Sequence, residues 1–344
     1  MHLPPRAPTS DDIDVYRRSV ERQLRVSSKA YRRWKRRQQR LLVLLAVLAL
    51  LAVGLLARGL LLLLPSGAAT QAAPSPFPTF APSPTPRSTP PAPAIQAAAG
   101  ILVNVSTGAL LFSQNADDER AMASTTKLMT ILLALQYGRL DQPVRIGADA
   151  VAEGAGDNSR MGLSVGEVLP LRDLLYGMML PSGDDAAVAV ADAVGGNQAH
   201  FVAMMNAKAR FLGLTHTHYQ NPDGLDASGQ YSSARDLARL AEYDLSFKEF
   251  VNIVATSEYK IPPTSQHKGY DLHNTNLLLG ASGYPGADGV KTGTTGDAGD
   301  CLVFSATRSD AHLLGVVLGD PTDAARFQDA RALLDWGFAV VATG

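Results

Sequence analysis

Residues 121–130 read AMASTTKLMT. Ser124 is followed three positions later by Lys127, and an apolar run begins at once. On a helix that spacing puts both side chains on one face, about one turn apart. Ser124 would then sit in the first turn, where unpaired N–H groups and the positive helix end favour developing negative charge. Lys127 would start inside the apolar segment, where burial disfavours an ammonium, as a lysine acting as a base requires. The bland alternative is a serine cap beside a solvent-facing lysine, and the pair alone does not separate the two. Two further copies, Ser257–Lys260 and Ser265–Lys268, show how cheap the pattern is.

The flanks give the pair a fold. STTKLMTILLALQYG, residues 124–138, is apolar on most faces and ends at a glycine, which predicts a largely buried helix. Upstream, GILVNV and ALLFSQ, separated by residues 106–108, read as the two strands of a hairpin. Further helices are predicted at about 167–180, 184–194, 198–212 and 232–243, the last opened by Ser233 with Asp236 three residues on. A long irregular region follows. Strands are then expected at 287–294, 301–307 and 312–318, and RFQDARALLDWGFAVV closes the pattern as a helix. Strands, then helices, then strands with a terminal helix imply an α+β sheet with a helical subdomain inserted.

The chain has 344 residues, 46% of them hydrophobic, enough for one sizeable core and too few for several large domains. Its formal net charge of −1 hides an asymmetry. Residues 1–40 hold twelve Lys or Arg against four acidic residues, whereas residues 96–344 carry a balance of −11. A globular part that acidic is a poor partner for nucleic acid. Leu41–Leu64 is apolar except for Arg58, and about 20 such residues cross a bilayer as a helix. The block RRWKRRQQR just before it orients the span with the N-terminus in the cytoplasm and residue 65 onward outside. Small residues at Ala68, Ala69, Ala72 and Ala73 would permit a cleaved signal peptide, but a forty-residue leader is long for one, and an uncleaved anchor is the reading. Residues 74–94, rich in Pro, Ser and Thr, read as a semi-rigid tether. The expected organisation is a basic cytoplasmic tail at 1–40 suited to anionic lipid, a transmembrane helix at 41–64, a linker at 65–95 and a globular domain at 96–344 on the outer side of the cell membrane. Cys301 is the only cysteine, so no internal disulfide is available.

Two more pieces bear on chemistry. In ADGVKTGTTGDAGDCLVF, Lys291-Thr292-Gly293 opens a strand pattern. On an edge strand that lysine and its hydroxyl neighbours would hold a substrate carboxylate, and Gly293 would let a substrate backbone lie close. In MMLPSGDDAAVAVADAV, Ser182 follows Pro181 and has the look of a plain N-cap. Each alone is weak. Together, in the order Ser124-x-x-Lys127, Ser182-x-Asp184, Lys291-Thr292-Gly293, they resemble the serine-type D-alanyl-D-alanine carboxypeptidases, the low-molecular-mass penicillin-binding proteins of peptidase family S11. GEVLPLRDLLYGMMLPSGDDAA, Asn221–Gly224, His273–Asn276 and the residues after Lys291 are similar to that family as well, so the likeness covers nearly all of 96–338. The other two Ser-x-x-Lys copies lack such flanks.

The resemblance implies a β-lactamase/transpeptidase-like fold, with a five-stranded antiparallel sheet packed against a helical subdomain. It implies hydrolysis of the terminal D-alanine from peptidoglycan stem peptides, with β-lactams as acylating inhibitors and no metal or organic cofactor. Ser124 would be the nucleophile, Lys127 its base and Ser182 the proton donor to the leaving group. The backbone N–H groups of Ser124 and Thr294 would form the oxyanion hole, and Lys291, Thr292, Gly293 and Thr294 would bind substrate. One position departs: the family has Asn where this chain has Asp184. A carboxylate there would pair with Lys127 and make it a poorer base, pair with Lys291, or be protonated. A literal Ser-x-Asn at Ser113–Asn115 precedes the nucleophile in a predicted strand and is rejected. The family's extra β-rich domain and C-terminal membrane helix have no room after residue 338, so the N-terminal span is expected to do the anchoring. A wall-binding scaffold spoiled by Asp184 is one alternative. A β-lactamase is another, opposed by the lack of Asn after Glu242 at the class A spacing. His216 and His218 read as surface residues rather than metal ligands, and Cys301 as a packing residue.

Overall fold

The computed structural model describes residues 90–343. The basic tail, the apolar span and residues 65–89 of the tether lie outside the described residues. Among the described residues no helix is long and apolar enough to cross a membrane.

The chain begins with a hairpin of β1 (Ala99–Asn104) and β2 (Ala109–Gln114). A 3-10 turn over Ala123–Thr126 leads into α1 (Lys127–Tyr137), which stops at Gly138. Next come β3 (Pro143–Arg145), α2 (Ala148–Glu153), β4 (Val168–Pro170) and α3 (Leu171–Met179). Four helices complete the inserted subdomain: α4 (Asp184–Gly195), α5 (Gln198–Leu212), α6 (Ala234–Asp244) and α7 (Lys248–Val254). A small hairpin of β5 (Glu258–Ile261) and β6 (Tyr270–His273) precedes the long strands β7 (Ala287–Thr295), β8 (Gly299–Arg308) and β9 (Ala311–Asp320). Helix α8 (Asp323–Thr343) closes the chain.

β1, β2 and β7 to β9 form one antiparallel sheet in the order β2-β1-β9-β8-β7, so β7 is an edge strand, as the motif reading requires. Alternate residues of β8 and β9 serve opposite faces. Leu302, Phe304, Leu313 and Val317 pack with Phe327, Leu333 and Leu334 of α8. Val303, Leu314, Val316 and Leu318 share a second core with Leu128 and Leu132 of α1 and Leu237 of α6. Burying each such side chain contributes about 1.5–3 kcal/mol, which fixes the sheet between two helical layers. The amides of Gln96 and Ala97 donate to Asp329 Oδ2 at 2.6 and 2.8 Å, and Trp336 Nε1 donates to the Pro90 carbonyl at 2.9 Å, tying the entering chain to α8.

Three expectations are corrected. The predicted helix at 167–180 starts only at Leu171; Leu169 precedes Pro170, which disfavours a helical backbone there, and residues 168–170 pair with β3 instead. The irregular region after residue 244 contains α7 and the β5–β6 hairpin, whose four-residue strands carry too little alternation to be read. Ser124 lies in the 3-10 turn rather than in the α-helix itself.

Candidate active site

The 3-10 turn presents Ser124 under constraint. Ala123, just before it, has φ +47°, a backbone state that costs an L residue of order 1–3 kcal/mol and persists only where surroundings enforce it. Two neighbours do so. A Cβ on Gly293 would lie 3.0 Å from Ala123 Cβ and from Ser124 N, so this glycine admits the nucleophile turn against β7. On the other side a Cβ on Gly224, at φ +102°, would run into the Ala123 carbonyl.

Lys127 is wholly buried, and its Nζ meets Ser124 Oγ at 2.8 Å, Asp184 Oδ1 at 2.6 Å and the Asp223 carbonyl at 2.7 Å. An ammonium has three hydrogens, and here each has an acceptor. Of the options open for Asp184, the structure selects the pair with Lys127. The Asp223 carbonyl is aimed by its turn: Gly224 N donates to Asn221 Oδ1 at 2.8 Å, and Thr130 Oγ1 on α1 donates to Pro222 O at 2.5 Å. Burial pushes the Asp223 carboxyl up to about 6, with Lys127 holding it back. Glu153, at the end of α2, is also raised, first by burial and then by the charge of Asp184. Lys127 thus sits among three carboxyl groups, with a second buried lysine, Lys291, near enough to feel its charge.

Ser182 is not an N-cap. Its φ is +65°, the cap position of α4 belongs to Gly183, and Ser182 Oγ instead accepts from Lys291 Nζ at 2.9 Å. Lys291 also donates to the Thr292 carbonyl at 2.9 Å and is almost fully buried. Burial holds its ammonium well below the usual lysine range, Lys127 adds to this and Asp184 opposes it. The next residue after the motif aspartate, Asp185, is structural: its carboxylate accepts the amides of Met161, Gly162, Leu163 and Ala186 at 2.8 to 2.9 Å.

The two threonines of β7 are engaged by protein. Thr292 Oγ1 shares a 2.6 Å bond with Thr275 Oγ1, and Thr275 N donates to Leu180 O at 3.1 Å, joining the second and third motifs. Thr294 Oγ1 donates to Asp300 Oδ1 at 2.7 Å and accepts from Arg326 Nη1 at 2.8 Å. Arg326 Nη1 also donates to the Gly293 carbonyl at 2.9 Å, and its other nitrogen pairs with Asp323. Asp223 and Thr275 lie in the two stretches noted as family-like but were given no role there, and Arg326 and Glu153 were not singled out at all; the partners of Arg326 on β7 lie more than thirty residues earlier.

The discarded candidates sit elsewhere. Lys260 is 69% exposed and faces Asp271, while Lys268 Nζ reaches Ser164. His218 Nδ1 bonds to the Gly229 carbonyl. Cys301 is buried, its thiol pushed up to about 12 by burial. Among the described residues no group of three His, Cys, Asp or Glu side chains is placed to hold a metal ion.

Residues 86–322 match the family described as Peptidase_S11, D-alanyl-D-alanine carboxypeptidase. The chain is 40% identical over 257 residues to the D-alanyl-D-alanine carboxypeptidase DacC of Escherichia coli strain K12, an overlap of 72% of this chain and 62% of that one. It is also 40% identical over 263 residues to the D-alanyl-D-alanine carboxypeptidase of Streptomyces sp. strain K15, covering 72% and 89%. The crystal structure of the Streptomyces K15 DD-transpeptidase is similar at a TM-score of 0.69 and 37% identity, over 72% of this chain and 99% of that one. That of D-alanyl-D-alanine carboxypeptidase from Mycobacterium tuberculosis H37Rv is similar at 0.67 and 31%. The transpeptidase-like α+β fold expected from the motifs is the fold observed. The chain spans 62% of the length of DacC and of the Bacillus subtilis relative DacF.

Proposed function

Because the chain belongs to the peptidase S11 family of D-alanyl-D-alanine carboxypeptidases, we propose that it removes the terminal D-alanine from peptidoglycan stem peptides through an acyl-enzyme on Ser124. The observation that carries this reading is the 2.8 Å contact between Lys127 Nζ and Ser124 Oγ, set beside the second hydroxyl–lysine pair, Ser182 and Lys291. Ser124 attacks the carbonyl carbon of the penultimate D-alanine, and Lys127 takes its proton. The N–H groups of Ser124 and Thr294 receive the developing oxyanion, where each donor is worth about 3–4 kcal/mol. Ser182 passes a proton to the departing D-alanine nitrogen, and water then hydrolyses the ester. Lys291, Thr292, Gly293 and Thr294 form the wall that receives the terminal carboxylate, with Arg326 holding Thr294. Asp184 holds Lys127 and faces the substrate.

The same proposal extends to the cell. Residues 41–64 anchor the protein as a single uncleaved span, 1–40 stay in the cytoplasm against anionic lipid, and 65–95 tether the catalytic domain, 96–344, on the cell-wall side. The charge step across the apolar run supports that orientation. The test is intact-mass spectrometry of the full chain in detergent after exposure to benzylpenicillin, beside Ser124→Ala, followed by D-alanine release from a stem pentapeptide. One drug mass on the unaltered chain only, with release of D-alanine, is expected. No adduct with intact drug overturns the peptidase reading, and no adduct with hydrolysed drug makes the protein a β-lactamase.

A further inference from the structure

Lys127 as placed cannot accept a proton. With all three hydrogens of an ammonium directed at Ser124 Oγ, Asp184 Oδ1 and the Asp223 carbonyl, no lone pair faces the serine. Something must take a proton from Lys127 when it takes one from Ser124. Water is poorly placed to do so, since Lys127 is 0% exposed and Asp184 2%. The 2.6 Å bond to Asp184 is the one contact of Lys127 that ends on a group able to become an acid.

We propose that Asp184 is the terminal proton acceptor of the acylation step, so that Ser124, Lys127 and Asp184 form a two-proton relay in which the buried lysine gives up one proton to Asp184 and takes another from Ser124, starting and ending as a cation. The proposal rests on the acyl-enzyme reading above. As the Ser124 Oγ–carbon bond forms, the carbonyl π pair moves onto oxygen. A Lys127 N–H proton first passes to Asp184 Oδ1, and the lone pair it leaves on Nζ turns to Ser124 Oγ and takes the serine proton. When the carbon–nitrogen bond breaks, Ser182 gives its hydroxyl proton to the departing nitrogen, and the proton held on Asp184 makes good that loss, restoring the Ser182 hydroxyl and the Lys127–Asp184 ion pair. An asparagine at 184 has no oxygen basic enough for this.

Glu153 on α2, Asp223 on the turn beside α1 and Lys291 on β7 each feel the charge of Asp184. Asp185, next in sequence, has its carboxylate fully occupied by four backbone amides. Moving the proton to Asp184 also leaves a Lys127 cation beside the tetrahedral oxyanion, where its charge is no longer neutralised by a partner.

The relay and a simple ion pair predict opposite pH behaviour. In a relay the active form is the ion pair itself, so acylation persists into acid until Asp184 protonates. Asp184→Asn must instead wait for neutral Lys127. The test is the benzylpenicillin acylation rate of the full chain in detergent from about pH 4 to about pH 10. The acid limb of the unaltered protein is expected at least about one pH unit below that of Asp184→Asn. Limbs that coincide, or a variant limb lying lower, overturn the relay. A measurement on the unaltered protein decides independently of how the variant folds: rates in H2O/D2O mixtures are expected to bow, as two protons in flight require, and a straight line overturns the proposal. Absence of acylation at every pH would remove the peptidase reading and the relay with it.

Discussion

Lys291 Nζ donates to Ser182 Oγ across 2.9 Å, and that bond fastens the edge strand of the sheet to the helical subdomain. Its cost is a buried ammonium with no carboxylate bonded to it. Burial lowers the folded-state value, so over a range below the ordinary 10.5 the unfolded chain carries a proton that the folded chain does not. The contribution of Lys291 to stability therefore rises with pH from its depressed folded value up to about 10.5. Lys291→Met removes the desolvated charge. The thermal midpoint at neutral pH is expected to rise by about 2–4 °C, roughly 1 kcal/mol, while acylation by benzylpenicillin slows at least about tenfold. A lower midpoint by scanning calorimetry would show that the bond to Ser182 outweighs the desolvation.

Gly224 supports the nucleophile turn from the opposite side. It holds φ +102°, and a side chain there collides with the Ala123 carbonyl, the residue that enters Ser124. Gly224→Ala is expected to cost about 1–3 kcal/mol in urea unfolding and to slow acylation, because the turn also carries the Asp223 carbonyl that orients Lys127. Gly229→Ala, also at positive φ but facing only the end of Gln230's neighbour Gln220, is the control. It should lose stability from backbone strain without losing acylation. Equal acylation losses in both variants would refute the argument from the Ala123 contact.

What could be read in the sequence followed how local each cause is. Strands β8 and β9 were legible because burial on both faces makes them continuous apolar runs, and α6 because Ser233 Oγ accepts from Asp236 N at 3.2 Å, the cap its spacing announced. Ser124, Lys127, Ser182, Asp184 and Lys291 were found as separate motifs and meet in two bonded sets. Ser182 taken alone looked like a plain cap, because the Lys291 it bonds lies 109 residues on, and only the three motifs together marked it out. Arg326 gave no signal at all. Its partners Gly293 and Thr294 lie more than thirty residues earlier, and one arginine near a helix start looks like any other.

The far side of that arginine carries a second acidic device. Asp320, at the end of β9, is buried against Asp329 of α8, which accepts the amides of Gln96 and Ala97. Burial first, and then the charge of Asp329, push the Asp320 carboxyl up to about 8. In the unfolded chain it titrates near 3.8, so between about 4 and 8 the folded protein keeps a proton that the unfolded chain has lost. Its contribution to stability is fully present below the unfolded value and is lost as pH rises through about 8. Asp320→Asn keeps the shape of the protonated acid and cannot ionise. The two proteins are expected to melt together near pH 4, and the variant at least about 10 °C higher near pH 8, by the usual few degrees per kcal/mol. A gap that is constant with pH would mean that Asp320 shares no proton with its neighbour and that Arg326 alone neutralises the cluster.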